Sequence, residues 1–270
     1  MKHKKNIITS IAALAAFTLA GPASAAVLFT DNFTVTGTTN TDDLNFNNSG
    51  RQGGTEATEN WTGLGNSQIG NLSVFGGSGD YLMVADVDAR ATLTTLNLSS
   101  LVAPSEQLVI SFDIVAHPGG YGWASFTLGG LVSGQNYGVS QPTTAATDFA
   151  FIYTNSTGVF GWDNGAAIIG VGATTGGSNF TFTFTDNATQ TGSPFGVDAK
   201  VIIQNGANTV GSYTLTGGLS ANTYITFGTA DNGPAGGRGA IDNLVVQTIP
   251  EPSAALLSGL GLLALLRRRR

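Results

Sequence analysis

Between about Val27 and Ile249, apolar and polar residues alternate with a period of two, and no stretch sustains a capped helical period. The clearest run is Asn179-Phe180-Thr181-Phe182-Thr183-Phe184-Thr185, with Phe on one side and Thr on the other. Further strands are predicted over 28–35, 72–75, 81–85, 91–98, 107–116, 122–128, 149–153, 197–204, 210–215, 223–227 and 240–247. Asn164-Gly165 and Asn205-Gly206 suit tight hairpins, because both residue types tolerate positive φ, and His117-Pro118-Gly119-Gly120 closes a third. A dozen short strands at this spacing predict an all-β domain over residues 26–248, an antiparallel two-sheet β-sandwich. Residues 37–70, rich in Asn, Thr and Gly, read as an irregular excursion over one sandwich edge, and no internal repeat indicates a solenoid.

One hairpin register follows from the pattern. If Pro118 to Gly120 form its loop, His117 faces Tyr121, Val115 faces Trp123, Asp113 faces Ser125 and Ser111 faces Thr127. The other side then pairs Ile114 with Ala124, Phe112 with Phe126 and Ile110 with Leu128. That side is wholly apolar, and a one-residue slip would invert it. The polar side gathers Asp113, Tyr121 and Trp123, an acid beside two rings that can stack on a sugar.

Charge narrows the partners. Only 10% of residues are charged and 38 of 270 are Gly, so long helices with ion pairs are not expected. The overall charge of −6 conceals two basic ends, Lys2, Lys4 and Lys5 at the start and four arginines at the finish. The body keeps four basic residues (Arg51, Arg90, Lys200, Arg238) against sixteen acids, a net charge of −12. Nucleic-acid binding depends on Lys and Arg displacing counterions from phosphates, so DNA and RNA are excluded as partners. Cations and neutral polymers such as polysaccharides fit. Without cysteine, the body folds by core burial and uses neither disulfides nor thiolate chemistry.

The two ends read as addresses. Residues 1–25 combine a basic start, an apolar run from Ile11 to Ala20 and the small-x-small triplet Ala23-Ser24-Ala25. This is the pattern of a secretory signal peptide, a helix handed to the secretion translocon and cut after Ala25. Residues 249–270 contain Pro250-Glu251-Pro252, an uncharged run from Ser253 to Leu266, and Arg267, Arg268, Arg269 and Arg270. Fourteen helical residues reach about 21 Å, short of a hydrocarbon core of roughly 30 Å, so the run predicts a short, marginal transmembrane helix. The arginines act as a cytoplasmic stop and leave the body outside the inner membrane. Motif, short helix and Arg cluster together resemble the PEP-CTERM sorting signal of exported Gram-negative bacterial proteins. The resemblance implies an exosortase, a membrane protease-transferase, that removes the tail near the motif and delivers the body to the cell surface or the exopolysaccharide matrix of a biofilm.

A second resemblance lies in Val201-Ile202-Ile203-Gln204-Asn205-Gly206, Tyr224-Ile225-Thr226-Phe227-Gly228 and Arg238-Gly239-Ala240-Ile241-Asp242-Asn243-Leu244-Val245-Val246. A strand into an Asn-Gly turn, a strand ending in Gly and a closing G-x-I-D-N strand are similar to laminin-G and concanavalin-A-like jelly rolls. The resemblance implies an architecture and leaves function open.

Catalytic chemistry finds little support in the residues. The chain after Ala25 has one histidine, His117, and Asp113 lies about 13 Å away along the same strand face, too far to orient it in a Ser/His/Asp set. Glycoside hydrolysis needs facing carboxylates, whereas Glu56 and Glu59 fall in the Gly-rich excursion and no E-x-D-x-x-E spacing occurs. Asp31 on the first strand and Asp242 on the last form a candidate structural Ca²⁺ pair, because terminal strands of such sandwiches lie side by side and calcium takes carboxylate oxygen. Two functional readings stand: a non-enzymatic adhesion or glycan-associating module, with Asp113, Tyr121 and Trp123 as the sugar-facing group, or a carbohydrate-active enzyme using Asp residues on the concave sheet face.

Overall fold

Alternation becomes architecture when each strand turns its apolar side toward the same interior. In the computed structural model the described residues are 25–33, 41–43, 61–71, 80–103, 106–116, 123–130, 147–154, 159–163, 169–171, 178–185, 196–215, 217–230, 238–250 and 267. The strands are β1 (Ala26–Asp31), β2 (Thr41–Asp43), β3 (Trp61–Asn71), β4 (Asp80–Leu93), β5 (Glu106–Ala116), β6 (Trp123–Gly129) and β7 (Thr147–Thr154). They continue as β8 (Val159–Asp163), β9 (Ile169–Val171), β10 (Asn179–Thr185), β11 (Ala199–Asn205), β12 (Asn208–Leu215), β13 (Tyr224–Ala230) and β14 (Arg238–Pro250). One 3-10 turn, Leu98–Ser100, lies between β4 and β5.

Every pairing is antiparallel, in the order β12-β11-β10-β5-β14-β4-β13-β6-β7-β8-β9, with β1 on β14, β3 on β4 and β2 on β3. The path folds over at β4. Its first part pairs with β14, from Leu82 opposite Ile241 to Ala85 opposite Arg238. Its last part pairs with β13, from Arg90 opposite Gly228 to Leu93 opposite Ile225. One layer is therefore β12-β11-β10-β5-β14 with β1, and the other is β13-β6-β7-β8-β9. The hairpin of β3 and β4 spans both layers.

Phenylalanine rings fill the gap between them. Phe112 of β5 sits 5.3 Å from Phe126 of β6 and 5.1 Å from Phe227 of β13. Phe182 of β10 is 4.8 Å from both Phe126 and Phe151. None of these strands pair with each other across the gap, so the contacts are face to face. Phe180, Phe182 and Phe184 are all buried on β10, as the Phe/Thr alternation predicts. Such edge and tilted ring pairs add about 0.5–1.5 kcal/mol each beyond simple burial.

The expected hairpin of β5 and β6 does not form. β5 pairs with β10 and β14, while β6 pairs with β13 and β7. The apolar faces were assigned correctly, yet they meet across the sandwich instead of lying side by side in one sheet. Period two fixes which face is inward and carries no information on the neighbour; the expected loop Pro118 to Gly120 lies outside the described residues. The strand expected at 81–85 and the first part of that expected at 91–98 are a single β4, which runs through Asp86 and Asp88 and ends at Leu93, with a turn and the 3-10 segment following. Within the expected excursion lie β2, which pairs with β3, and β3 itself, whose Gly- and Asn-rich sequence has weak strand propensity and is held by pairing with β4. β8 and β9 are also additional and pair antiparallel, while the turn expected at Asn164-Gly165 lies outside the described residues. Asn205-Gly206 turns β11 into β12 as expected, with Gly206 at φ 57 and Asn205 opposite Asn208.

β14 runs two residues beyond the expected domain end at 248. The strand expected over 72–75 lies outside the described residues, as do the signal peptide apart from Ala25 and the tail apart from Ile249, Pro250 and Arg267. Among the described residues no helix is long and apolar enough to cross a membrane.

The register also defines two poles. Ala26 is opposite Thr248, and Pro250 is opposite Glu106, so the start of β1, the start of β5 and the end of β14 share one pole. Tyr224 and Gly129, tied to β5 through the 98–103 segment, end the second layer at the same pole. At the other pole lie Asp113 and Asn179 in one layer and Trp123 and Ala230 in the other.

Replacing Phe112 by Ala removes a ring that touches both layers, so Phe112→Ala is expected to lower unfolding free energy by about 3–5 kcal/mol in chemical denaturation. Val115→Ala, at a position 48% exposed on the same strand, is expected to change it by less than about 0.5 kcal/mol. Equal effects would contradict the inward assignment of β5.

Candidate functional site

The candidate calcium pair is built from neighbouring strands, since β1 does lie against β14 and Asp31 is opposite Leu244. The two carboxylates nevertheless point to different sides. Asp31 is 1% exposed and turned into the core beside Phe29. Its Oδ1 accepts the Phe33 N–H at 2.7 Å and its Oδ2 accepts the Trp61 indole N–H at 3.0 Å. This bond clamps β3 against β1, and the Trp61 ring packs 5.8 Å from Phe33 and 6.2 Å from Phe227. Asp242 follows the inward Ile241 and accepts the N–H of Asn243 at 2.7 Å. Among the described residues no group of three or more His, Cys, Asp or Glu is placed to hold a metal.

Asp113 is a hub of another kind. Its Oδ1 accepts the side-chain amide of Asn179 at 3.1 Å and its Oδ2 that of Asn243 at 2.9 Å. Asn243 reaches it because β14 bulges between Asp242 and Val245, with Asn243 in the left-handed region at φ 52, a conformation Asn tolerates. Both oxygens of Asp113 thus tie β5 to its two neighbours. Trp123 begins β6 in the opposite layer, where its side chain is outside the described residues, and Tyr121 lies outside them altogether. Asp113 and Trp123 belong to different layers, because β5 and β6 are not paired.

The outward side of the second layer carries a hydroxyl row. Thr62 is opposite Thr92, Thr92 opposite Thr226, and Thr226 opposite Thr127. Thr92 Oγ1 lies 2.9 Å from Thr226 Oγ1, Thr127 Oγ1 donates to the Thr226 carbonyl, and Ser125 Oγ donates to that of Gly228. Arg90, Ser125, Thr127 and Thr226 are buried there, whereas Thr62 at the end of the row is exposed. The row's hydroxyls satisfy the sheet's own carbonyls, which a buried polar face requires.

A further arrangement joins the loop before β13 to β7 and to the 3-10 turn. Buried Asp148 accepts the Ser220 N–H at 2.7 Å and its hydroxyl at 2.8 Å. Asn97 accepts the Thr223 N–H and donates to the Asn222 side chain. This frame supports an open hollow of about 460 Å³ lined by Gly130, Ser220, Ala221, Asn222 and Tyr224. Half-buried Tyr224 borders it together with Asn222 and Ser220, whose side chains are fastened to Asn97 and Asp148. The sequence carried little sign of it: Asn97, Asp148 and Ser220 are far apart in the chain and ordinary in kind, and only folding brings them together. Tyr153, fully buried toward the opposite end of β7 across from Ala124, has its phenol pushed far up by desolvation.

The fold and its ends thus define an antiparallel two-layer sandwich whose last strand runs directly into a tail. Residues 248–270 match the PEP-CTERM protein-sorting motif. No curated protein matches the chain. Solved structures similar to it include the carbohydrate recognition domain of Emp46p in its metal-free form (9% identity, TM-score 0.46, covering 70% of this chain and 88% of that one). A Lotus tetragonolobus seed lectin is 11% identical, with a TM-score of 0.44 and coverage of 72% and 95%. The alginate lyase vAL-1 from Chlorella virus is 10% identical, with a TM-score of 0.44 and coverage of 71% and 94%.

Because core N–H groups occupy both oxygens of Asp31, excess Ca²⁺ is expected to leave the thermal midpoint unchanged, and a concentration-dependent rise would reveal a site. Asp31→Ala leaves the Phe33 and Trp61 donors bare and is expected to cost about 1–3 kcal/mol for each, read by denaturant titration.

Proposed function

We propose that this chain is an exported β-sandwich protein, processed by an exosortase-type protease at its C-terminal tail and delivered to the cell surface or an exopolysaccharide matrix. There it acts as a non-enzymatic, glycan-associating module. The observation that carries this reading is the sorting motif over 248–270, continuous with the closing strand of the sandwich. A basic, apolar N-terminal segment ending in Ala23-Ser24-Ala25 supplies the matching export signal. The strongly acidic body supports association with neutral polymers over nucleic acid.

Passive association is supported by how the described acids are used. Asp31, Asp113 and Asp148 all accept hydrogen bonds that tie strands or loops together. Proton transfer at Asp113 would break its amide contacts. For sugar contact, the hollow beside Tyr224 offers an aromatic ring with amide and hydroxyl groups, a combination suited to an uncharged, hydroxyl-rich ligand.

Cells with the processing protease are expected to display the protein at the surface or in the matrix, whereas cells lacking it retain the chain in the inner membrane. Equal distribution in the two backgrounds would refute the sorting reading. Tyr224→Ala is expected to reduce retention on native matrix polysaccharide several-fold without shifting the melting midpoint. Unchanged retention would remove the hollow from the proposal. Polysaccharide turnover by the purified protein that vanishes in Asp113→Asn would favour an enzyme instead.

A further inference from the structure

The two margins of the layer β12-β11-β10-β5-β14 with β1 are built differently. β12 ends the strand order and, among the described residues, pairs with β11 alone. At the other margin β1 is blunted, because its register shifts between Val27 and Phe29 and it turns the buried acid Asp31 inward. β12 has one irregularity, at Val210, since Ile203 is opposite Gly211 while Gln204 is opposite Thr209. From Gly211 to Leu215 the ladder is regular, and Gly211-Ser212-Tyr213-Thr214-Leu215 holds neither charge nor proline. Ser212 and Thr214 are exposed on the outer side, while Leu215 is fully buried on the inner one.

An unprotected strand edge offers a row of N–H and C=O groups to a further strand. In antiparallel pairing that row is complementary to itself, so the same strand of a second copy fits it about a two-fold axis. Charge permits this approach at β12, although the body as a whole is strongly acidic. β10, β11 and β12 carry no acid and one base, Lys200. Asp198, exposed beside the end of β12 where its N–H donates to the Leu215 carbonyl at 2.7 Å, is offset by Lys200. The nearest acids on the strands of this layer lie on β5, three strands from β12. That separation is about 14 Å, beyond a Debye length of about 8 Å.

We propose that the β12 edge joins the β12 edge of a second copy of this chain, extending the layer as one antiparallel sheet across two molecules. Opposite residues of an antiparallel pair share a face, so the two-fold axis passes through a residue and not between two. Centred on the regular run, it passes through position 213 and sets Ser212 opposite Thr214 of the second copy. The stretch from Gly211 to Leu215 is a small interface, so the pair is weak in dilute solution and gains from the crowding of copies on a surface or in a matrix. Pairing turns one body end over end and points the two hollows beside Tyr224 in opposite directions, a disposition able to bridge two polymer chains. That consequence rests on the glycan reading above, whereas the pairing itself does not.

The chain has no cysteine, so thiols introduced one at a time report this contact without background. Directly opposite residues have Cα atoms about 4.5–5.5 Å apart, within disulfide reach, whereas the two copies of position 212 are separated by about 8 Å. Purified full chains bearing Ser212→Cys or Thr214→Cys are oxidised separately and as an equal mixture, then run on non-reducing gels. The mixture is expected to give a reducible band of twice the mass, several-fold stronger than either variant alone. It is also expected to exceed a mixture of Ser212→Cys with Val115→Cys, an exposed position on β5. A band of equal strength in Ser212→Cys alone or in the Val115→Cys mixture would overturn the proposed contact, and so would the absence of a dimer from the Ser212→Cys and Thr214→Cys mixture. Bridging is read separately, as turbidity of a neutral matrix polysaccharide. A dimer that leaves the polymer clear removes the glycan consequence and upholds the pairing.

Discussion

The interleaving of aromatic rings between the two layers is the contact on which the rest of the structure depends. Phe112 and Phe182 project from one layer into the group formed by Phe126, Phe151 and Phe227 of the other. Without disulfides, and with few ion pairs available to a body so poor in charge, the layers are held by apolar area and ring geometry. Outward positions are then free to be Thr, Ser and Asn. This division explains how a chain with so many glycines still forms a sandwich: glycines weaken individual strands, and the facing rings fix the layers.

Polar groups within this frame work as fasteners. Asp31 joins β1 to Trp61 of β3, Asp113 joins β5 to β10 and β14, and Asp148 fixes the loop that precedes β13. Each occupies a place where the strand ladder alone would leave a segment loosely attached. Their engagement bears on function, since a carboxylate whose oxygens already accept protein N–H groups is poorly placed to move protons for a substrate. Among the described residues, a hollow at one pole is open to a partner.

β14 links the structural and sorting roles of the chain. It is flanked by β5 along its length and by β4 and β1 in succession on its other side. The sorting motif overlaps its last residues, so there is no spacer between the sandwich and the address. The strand that completes the sheet thus also carries the first residues of the matched motif.

The sequence by itself determined which residues face inward and where the protein is addressed. Period-two alternation marked Phe180, Phe182 and Phe184 as core, Asn205-Gly206 marked a hairpin, and Pro250-Glu251-Pro252 with its arginines marked the tail, because these signals are local. Tertiary structure alone decided who sits beside whom. An apolar strand face is equally satisfied by a neighbour in its own sheet or by a layer opposite, so β5 and β6 read as a hairpin yet lie in different layers. Trp61-Thr-Gly-Leu-Gly reads as loop and becomes a strand through β4, and Asp31 finds Trp61 thirty residues away. Such partners are chosen by long-range packing, for which a single sequence carries no local mark.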